Sequence, residues 1–414
     1  MSYTLLKTIN GESLHGGGNI TVGGGGLTSG DIIFVDSVAD LPSPSGNVIT
    51  LAANITYYFT NHLDLNGDKL VCSANTTILG ASSENCSITS TGLGSGEYLL
   101  YSDYTLPIRH ITFKDVTSCI GINTSNLGGQ PIALDWTGVN FSGCTYNLEC
   151  GDIDNFIFSK GAILGSGSIR FGGTVGTIGI DNSIFTGSGS AYNIIELTNS
   201  CVVTRRFRTI YSSFVAFGST VAIDVDASAT IPTEGFILDT VNFGGGGTYL
   251  GGLTHTSNDS LFSNCKGITN TAVNGQLYMQ NNATSTTIAS SSTFYKVSGT
   301  TSASADNSKF THTDNRLTCD AEIVRKYLIQ CTLSFNSSNG NVCEFGFYDS
   351  QLAGIRTPSR TQATANASGR AENVSFACVL FMSSGDYLEI HCANNTASNN
   401  ITVTDMNFVV TEIK

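Results

Sequence analysis

Paired carboxylates are the first chemistry to look for in a chain this poor in charge. The segment VAIDVDAS, residues 221–228, carries Asp224 and Asp226 at positions i and i+2. On an extended strand that spacing puts both side chains on one face, where they could serve as the acid and base of a glycosidase at about 5 to 9 Å. Glu196, Asp239 and Asp259 are further carboxylates on other segments. Aspartates at strand ends are also ordinary surface in an acidic chain, so turnover is not the expected use; if the chain is an enzyme, Asp224 and Asp226 are its pair. The one basic cluster is Arg205, Arg206 and Arg208 in CVVTRRFRTIY. Arg206 and Arg208 share a strand face with Phe207 opposite, an arrangement that suits bidentate binding of acidic sugar or phosphate. The alternative is a solvated face, or an interchain pair with Asp224 or Asp226.

Metal and cofactor chemistry finds no foothold. The six histidines, His15, His62, His110, His255, His312 and His391, include no two at metal-binding spacing. His391 suits either a ring stacked along an oligomer axis or an isolated strand position. The twelve cysteines form no CxxC pair. They are expected to be reduced and to pack as small hydrophobes, the alternative being a bridge such as Cys144 to Cys150. The glycine runs at 23–26 and 244–247 lack the Lys-Ser/Thr ending of a phosphate loop. No cofactor and no metal is expected.

Composition narrows the class. Of 414 residues only 12% are charged while 40% are hydrophobic, so neutral Asn, Ser, Thr and Gly must supply the polar surface. Those residues form turns and strands better than helices. Disorder normally pairs low hydrophobicity with high charge, so an ordered β protein is expected. A net charge of −13 argues against nucleic acid and anionic membranes as partners. The N-terminus has no apolar core of a cleaved signal, and no stretch suits membrane insertion. The Asn-x-Ser/Thr triplets at Asn54, Asn75, Asn282 and Asn373 are the chance products of such a composition.

Three regions follow from the strand pattern. Residues 1–30 read as strand, turn at Asn10-Gly11, and strand at 20–22, then the glycine joint 23–26. A hairpin this small needs copies of itself or a partner to pack on. Residues 31–290 repeat a phrase in which an apolar residue and Asp or Asn precede an aromatic: HITFKDVTSC, ALDWTGVNFSGC, GIDNSIFTGSG, FILDTVNFGGGG and DSLFSNCKG. A period of roughly 20 to 25 residues marks a solenoid, each repeat one coil. Residues 291–414 carry longer strands, including a hairpin at Asp314-Asn315 and the alternating run Tyr327, Ile329, Cys331, Leu333, Phe335. Together they suit a two-sheet sandwich. The long polar stretch from Gly354 to Gly369 reads as an exposed contact loop, with Arg356, Ser359, Arg360, Gln362 and Asn366 as contact residues.

Three resemblances go with these regions. KTINGESLHGGGNITV, residues 7–22, is similar to a short element of bacteriophage tail-fibre and related virion proteins, differing in His15 before Gly16. It implies a virion-attachment role for Asn10, Gly11, Ser13, Gly16, Gly18 and Asn19. The recurring phrases, and the opening stretch 35–65, resemble the right-handed parallel β-helix of pectate-lyase-like proteins and phage tailspikes. That likeness implies that Phe113, Phe141, Phe185, Phe243 and Phe262 stack inside one column, with Cys119, Cys144 and Cys265 filling gaps where coils turn. Residues 291–414 resemble the jelly roll of the C1q and tumour-necrosis-factor superfamily, with Gly385, Asp386 and Tyr387 turning into the penultimate strand and Met406–Ile413 as a central closing strand. This implies a homotrimer.

The expected protein is therefore all-β, a right-handed parallel β-helix shaft followed by a jelly-roll head. Its expected role is that of a phage fibre or spike subunit, assembled in the bacterial cytoplasm and held in the virion. Its partners would be itself, other virion proteins at the N-terminus, and a host surface glycan or protein. The alternatives are a polysaccharide depolymerase and a virion decoration protein without a receptor.

Overall fold

The computed structural model describes residues 8–9, 12–13, 31–123, 133–165, 167–189, 191–254, 257, 259–321, 324–366 and 370–413. The chain divides into two compact units, Met1–His255 with Asp259–Asn270, and Thr256–Asn258 with Thr271–Lys414. The boundary expected after residue 290 thus falls about twenty residues earlier. The reason is strand pairing: Asn274–Met279 lies antiparallel to Thr402–Glu412 and belongs to the second unit. Helix is confined to two short 3-10 turns, Val38–Asp40 and Thr357–Ser359, among the described residues.

The first unit is a parallel β-solenoid of about nine turns. Its coils present three faces. Strands such as Tyr98–Ser102, Ser118–Asn123, Asn193–Leu197 and Val221–Val225 build the first face. Thr56–Phe59, Ala133–Thr137, Val202–Ile210 and Phe236–Asp239 lie on the second. Eight short strands from His62–Asp64 to Asn242–Gly244 form the third. Two long strands, Tyr146–Ser159 and Ser168–Asp181, run across the first and second faces without a break. Every strand pairing in these sheets is parallel and holds successive coils in register.

Inward positions stack like on like because each coil repeats the same path. On the third face Phe113 lies 5.8 Å from Phe141, Phe185 4.5 Å from Phe214, and Phe214 5.4 Å from Phe243. All are buried, and each buried ring contributes about 2 to 3 kcal/mol by its removal from water. Four of the five phenylalanines expected in one column are in it. Phe262 is not: it pairs in register with Leu238 on the second face, so its coil enters with a different phase. Cys144 and Cys265 are buried at coil turns, as their positions suggested, whereas Cys119, also buried, lies within the first-face strand Ser118–Asn123.

In seven successive coils the corner between the second and third faces is turned by a left-handed residue. His110, Gly138, Lys160, Asn182, Tyr211, Thr240 and Asn264 all have φ between 46° and 65°. Side chains other than glycine adopt this conformation at a cost of about 1 to 2 kcal/mol. It persists because the backbone ladder turns the corner too. The N–H of Lys160 donates to Asp181, that of Asn182 to Ile210, and that of Tyr211 to Asp239.

The second unit is an antiparallel sandwich. One sheet orders Ser302–Ala303, Asn274–Met279, Thr402–Glu412, Arg325–Asn336 and Glu372–Met382. The other is built around Tyr387–Asn394 and Val342–Asp349. Alternation buries Tyr327, Ile329, Cys331, Leu333 and Phe335. Phe335 meets Phe345 at 4.8 Å, and Phe347 meets Phe376 at 4.7 Å, joining the two sheets. The turn at Asp314-Asn315 has φ of 47° and 57°, and it pairs Thr313 with Arg316 in a two-residue hairpin. Thr402–Glu412 occupies the centre of its sheet, and Gly385 (φ 87°) turns the chain toward the penultimate strand.

At the N-terminus Thr8–Ile9 pairs directly with Glu12–Ser13. The strand expected at 20–22 lies outside the described residues. Asn10, Gly11, Gly16, Gly18 and Asn19 lie outside the described residues.

Candidate functional site

Register on the first solenoid face brings together a row of outward side chains that are far apart in sequence. Tyr101 pairs with Gly121, Gly121 with Glu149, Glu149 with Arg170, Arg170 with Glu196, Glu196 with Asp224, and Asp224 with Gly251. Each row position stands between inward-facing neighbours, as in Leu148-Glu149-Cys150, Ile169-Arg170-Phe171, Ile195-Glu196-Leu197 and Ile223-Asp224-Val225. That alternation fixes which side chain turns outward.

Three members of the row, Glu149, Arg170 and Glu196, form one polar network, while Asp224 and Tyr101 are bonded elsewhere, to Asn193 and Asp103. Arg170 donates through Nη1 to Glu149 Oε1 at 2.7 Å and through Nε to Glu196 Oε2 at 2.9 Å. Tyr98 Oη donates to the other Glu149 oxygen at 2.5 Å. Burial, with that bond to a carboxylate, pushes the Tyr98 phenol up to about 12. The ring lies over Gly121, where a Cβ would stand 2.6 Å from it. Asn193 Nδ2 donates to Asp224 Oδ2 at 2.9 Å. Asp224 is nevertheless raised above the ordinary aspartate range, first by burial and then by the negative charges of Glu196 and Asp226. Gly251 makes room beside it, since a Cβ there would lie 2.0 Å from Asp224 Oδ1. An open groove of about 420 Å³ covers part of this face, walled by Tyr98, Tyr101, Glu149 and Arg170 and reaching Thr198, without Glu196, Asp224 or Gly251 in its lining.

This arrangement revises the expected carboxylate pair. Asp226 lies past the end of its strand, is exposed, and accepts the N–H of Ser228. Its N–H still donates to the Leu197 carbonyl of the neighbouring coil, and its charge adds to the raising of Asp224. The in-register neighbour of Asp224 is Glu196, one coil away. Asp239 sits at the end of a second-face strand, hydrogen-bonded by Ser263 and Asn264.

Arg205 is held within its own chain by Asp154 Oδ1 at 2.8 Å and Thr177 Oγ1 at 3.1 Å. Its partner is thus Asp154 rather than Asp224 or Asp226. Arg206 is exposed, Arg208 is half-buried, and Phe207 points inward between them, as the alternation required.

The stretch expected to be an open contact loop is largely built into the sandwich. Gly354–Ile355 and Thr361–Thr364 both pair with Val342–Asp349. Arg356 is ion-paired with Asp349, and Arg360 with Glu344. The Arg360 guanidinium holds the Glu344 carboxyl below its ordinary range. Ser359 is buried: its Oγ accepts the Phe347 N–H and donates to the Arg356 carbonyl. Gln362 and Asn366 remain exposed, with Asn366 donating to Glu372. Residues 367–369 lie outside the described residues.

His391 is also tied in place. Its Nε2 lies 3.1 Å from Glu389 Oε2, and its ring stacks on Tyr348 at 4.7 Å. Glu389, only 7% exposed, also receives Lys296 at 3.0 Å and Arg316 at 2.7 Å. Burial alone would raise it, but the hydrogen bonds from His391, Lys296 and Arg316 outweigh that and hold it at about 2.

All twelve cysteines are free thiols. Cys144 Sγ lies 2.7 Å from Cys119 Sγ on the neighbouring coil, so its nearest thiol is not Cys150. Burial pushes Cys72, Cys150 and Cys331 well above the ordinary thiol range. Among the described residues, no group of three or more His, Cys, Asp or Glu is placed to hold a metal, and no helix is long and apolar enough to cross a membrane.

No protein-family model matches the chain, and no curated protein matches it. Similarity to solved structures is of shape. Murine APRIL at pH 5.0 aligns with a TM-score of 0.26 and 8% identity, covering 34% of this chain and 99% of that one. Eiger TNF from S. frugiperda aligns with a TM-score of 0.25 and 12% identity, covering 34% and 93% respectively.

Proposed function

We propose that the chain is a subunit of a bacteriophage fibre or spike that attaches the virion to glycans of the host surface. The observation that carries this reading is the first-face row, in which tyrosines, carboxylates and a guanidinium share one groove. Aromatic rings stack on the apolar faces of sugars, while carboxylates and arginine bind their hydroxyls; few other ligands suit such a mixture on an open surface. A solenoid suits the task because its coils hold the row rigid over many strands. The N-terminal resemblance supplies the virion as the other attachment point, and the sandwich supports assembly as a homotrimer. Three weak grooves on one particle then bind as one through effective concentration.

The test is adsorption of the labelled full chain to a panel of bacterial strains, before and after periodate oxidation of surface glycans. Attachment is expected to fall with oxidation and in Arg170→Ala. Attachment unaffected by either treatment would refute the reading. Light scattering checks the trimer: a mass equal to the 43.5 kDa monomer at micromolar concentration counts against it.

A second reading, a polysaccharide depolymerase, is favoured by one observation: Asp224, raised toward the acid form, faces an ion-paired Glu196 one strand away. A strand spacing of about 4.8 Å is near the separation of retaining glycosidases. Release of reducing ends from surface polysaccharide, lost in both Asp224→Asn and Glu196→Gln, would establish it.

A further inference from the structure

Two of the twelve thiols touch. Cys119 Sγ donates to Cys144 Sγ at 2.7 Å, well inside the roughly 3.5 to 4.0 Å at which even the smaller carbon atoms rest against each other. A disulfide holds its sulfurs at about 2.05 Å, so little movement separates the pair from one. The other sulfur contacts among the described residues run to backbone carbonyls or to the Tyr327 hydroxyl. The shared hydrogen bond also makes the two thiols unequal. Accepting from Cys119 lowers Cys144 below the ordinary thiol range, while burial, and then that same bond, raises Cys119 well above it. Cys144 is therefore the sulfur that ionises first and attacks.

The pair sits where one coil closes on the next. Cys119 stands in Ser118–Asn123 on the first face, and the chain passes Ala133–Thr137 on the second and Asn140–Ser142 on the third before it reaches Cys144. Cys144 then leads into Tyr146–Ser159, which pairs with the strand of Cys119. A bond between the two sulfurs thus closes one whole coil, spanning 25 positions, and fastens two first-face strands that carry Gly121, Ile122 and Glu149 of the groove. We propose that Cys119 and Cys144 are a redox modification site, joined as a reversible disulfide by a small-molecule disulfide such as oxidised glutathione, and that the bond locks this coil. The exchange takes two steps. The Cys144 thiolate attacks one sulfur of the reagent, whose S–S bond breaks, and the first glutathione leaves with the proton that Cys144 gave up. Cys119 then attacks the Cys144 sulfur, forming the coil bond and expelling the second glutathione, which takes the Cys119 proton. Two electrons pass from the protein to the reagent. Both sulfurs are buried, so the turn at Ser142, Gly143 and Cys144 must open for the first step. Reducing surroundings keep the thiols free and oxidising ones close the coil. None of this depends on glycan binding.

The test equilibrates the full chain with graded ratios of reduced and oxidised glutathione, approached from both sides until the two agree. Free thiols are alkylated under denaturation and the peptides mapped by mass spectrometry. In oxidising ratios the Cys119 and Cys144 peptides are expected as one linked species, two hydrogens lighter, with the other ten thiols alkylated. The melting temperature of the solenoid should rise by roughly 5 to 10 °C on closure of a loop of this size, and fall back when a dithiol reduces the bond. Cys119→Ser and Cys144→Ser should abolish that redox-dependent rise, and Cys150→Ser should keep it. The parent chain, melted with and without the dithiol, decides the matter if a serine variant fails to fold.

Both thiols alkylated at equilibrium in excess oxidised glutathione, glutathione left attached to Cys144, a bridge through another pair, or a linked pair with an unmoved melting temperature, each overturns the proposal. These outcomes are read without cells or sugars, so they leave the adsorption test of the attachment reading untouched.

Discussion

Glu389→Gln isolates the most concentrated electrostatic feature of the sandwich. The substitution keeps shape and removes the one charge shared by Lys296, Arg316 and His391. An ordinary glutamate titrates near 4.5, and Glu389 is held at about 2. At 1.36 kcal/mol per unit of pKa difference this is about 3 kcal/mol. Lys296 is 26% exposed and Arg316 37%, so solvent screening trims the expected cost to about 2 kcal/mol. The folded-state pKa is depressed, so the contribution is fully present above the unfolded value and is lost as pH falls through the folded one. Hydrogen exchange of the full chain, resolved by peptide, reads the effect locally. Peptides covering Tyr387–Asn394 should exchange roughly 30-fold faster at pH 7 in the variant. At pH 3 the difference between variant and parent should shrink by about half. Solenoid peptides should not change. A penalty below about 0.5 kcal/mol at pH 7, as for an exposed pair, or one equally large at pH 3, would refute the assignment.

Other outcomes follow from the solenoid. Tyr211→Gly relieves a left-handed side chain at an exposed corner and should stabilise the solenoid by about 1 kcal/mol, seen by calorimetry as a higher melting temperature. Phe214→Ala, which opens the stack between Phe185 and Phe243, should cost about 3 to 5 kcal/mol in the same assay. Mild oxidation should join Cys119 to Cys144, and peptide mapping by mass spectrometry should find that bridge in place of Cys144 to Cys150. Asp224→Asn should bring a slight gain in stability at neutral pH, read by calorimetry. The raised pKa means that the charged form disfavours the fold as pH rises through it, a burden the amide lacks.

Much of the architecture was legible. The aromatic phrases exposed the coils through Phe113, Phe141, Phe185 and Phe243, and the strict alternation from Tyr327 to Phe335 exposed a sandwich strand. What the phrases missed were the coils whose third-face residue is not phenylalanine, such as Ile88 and Ile163, and the one at Phe214 where SFV lacks the preceding Asp. The site was harder to find, because its members are joined by register and register is set by coil length. Successive strands of the first face begin from 20 to 29 residues apart, as Tyr98 to Ser118 and Lys69 to Tyr98 show. A fixed period therefore blurs the row. The usable signal was an outward residue between two inward apolar ones, repeated in LEC, IRF, IEL and IDV. The i, i+2 spacing of Asp224 and Asp226 does not show that the strand ends at Val225 or that Glu196 stands in register with Asp224 one coil away. The contact loop was misjudged because polar composition does not distinguish open chain from an edge strand held by ion pairs.

The in-register row has a last consequence, for how such a surface changes over generations. Four successive coils contribute Glu149, Arg170, Glu196 and Asp224 to the outward row, while their inward neighbours maintain the stack. Glu149, Arg170 and Glu196 are tied to one another by ion pairs, so a substitution at one changes the surface of its neighbours as well, while the buried stack beneath is left alone. The outward surface can thus change in linked sets of residues from several coils while the body that carries it stays the same.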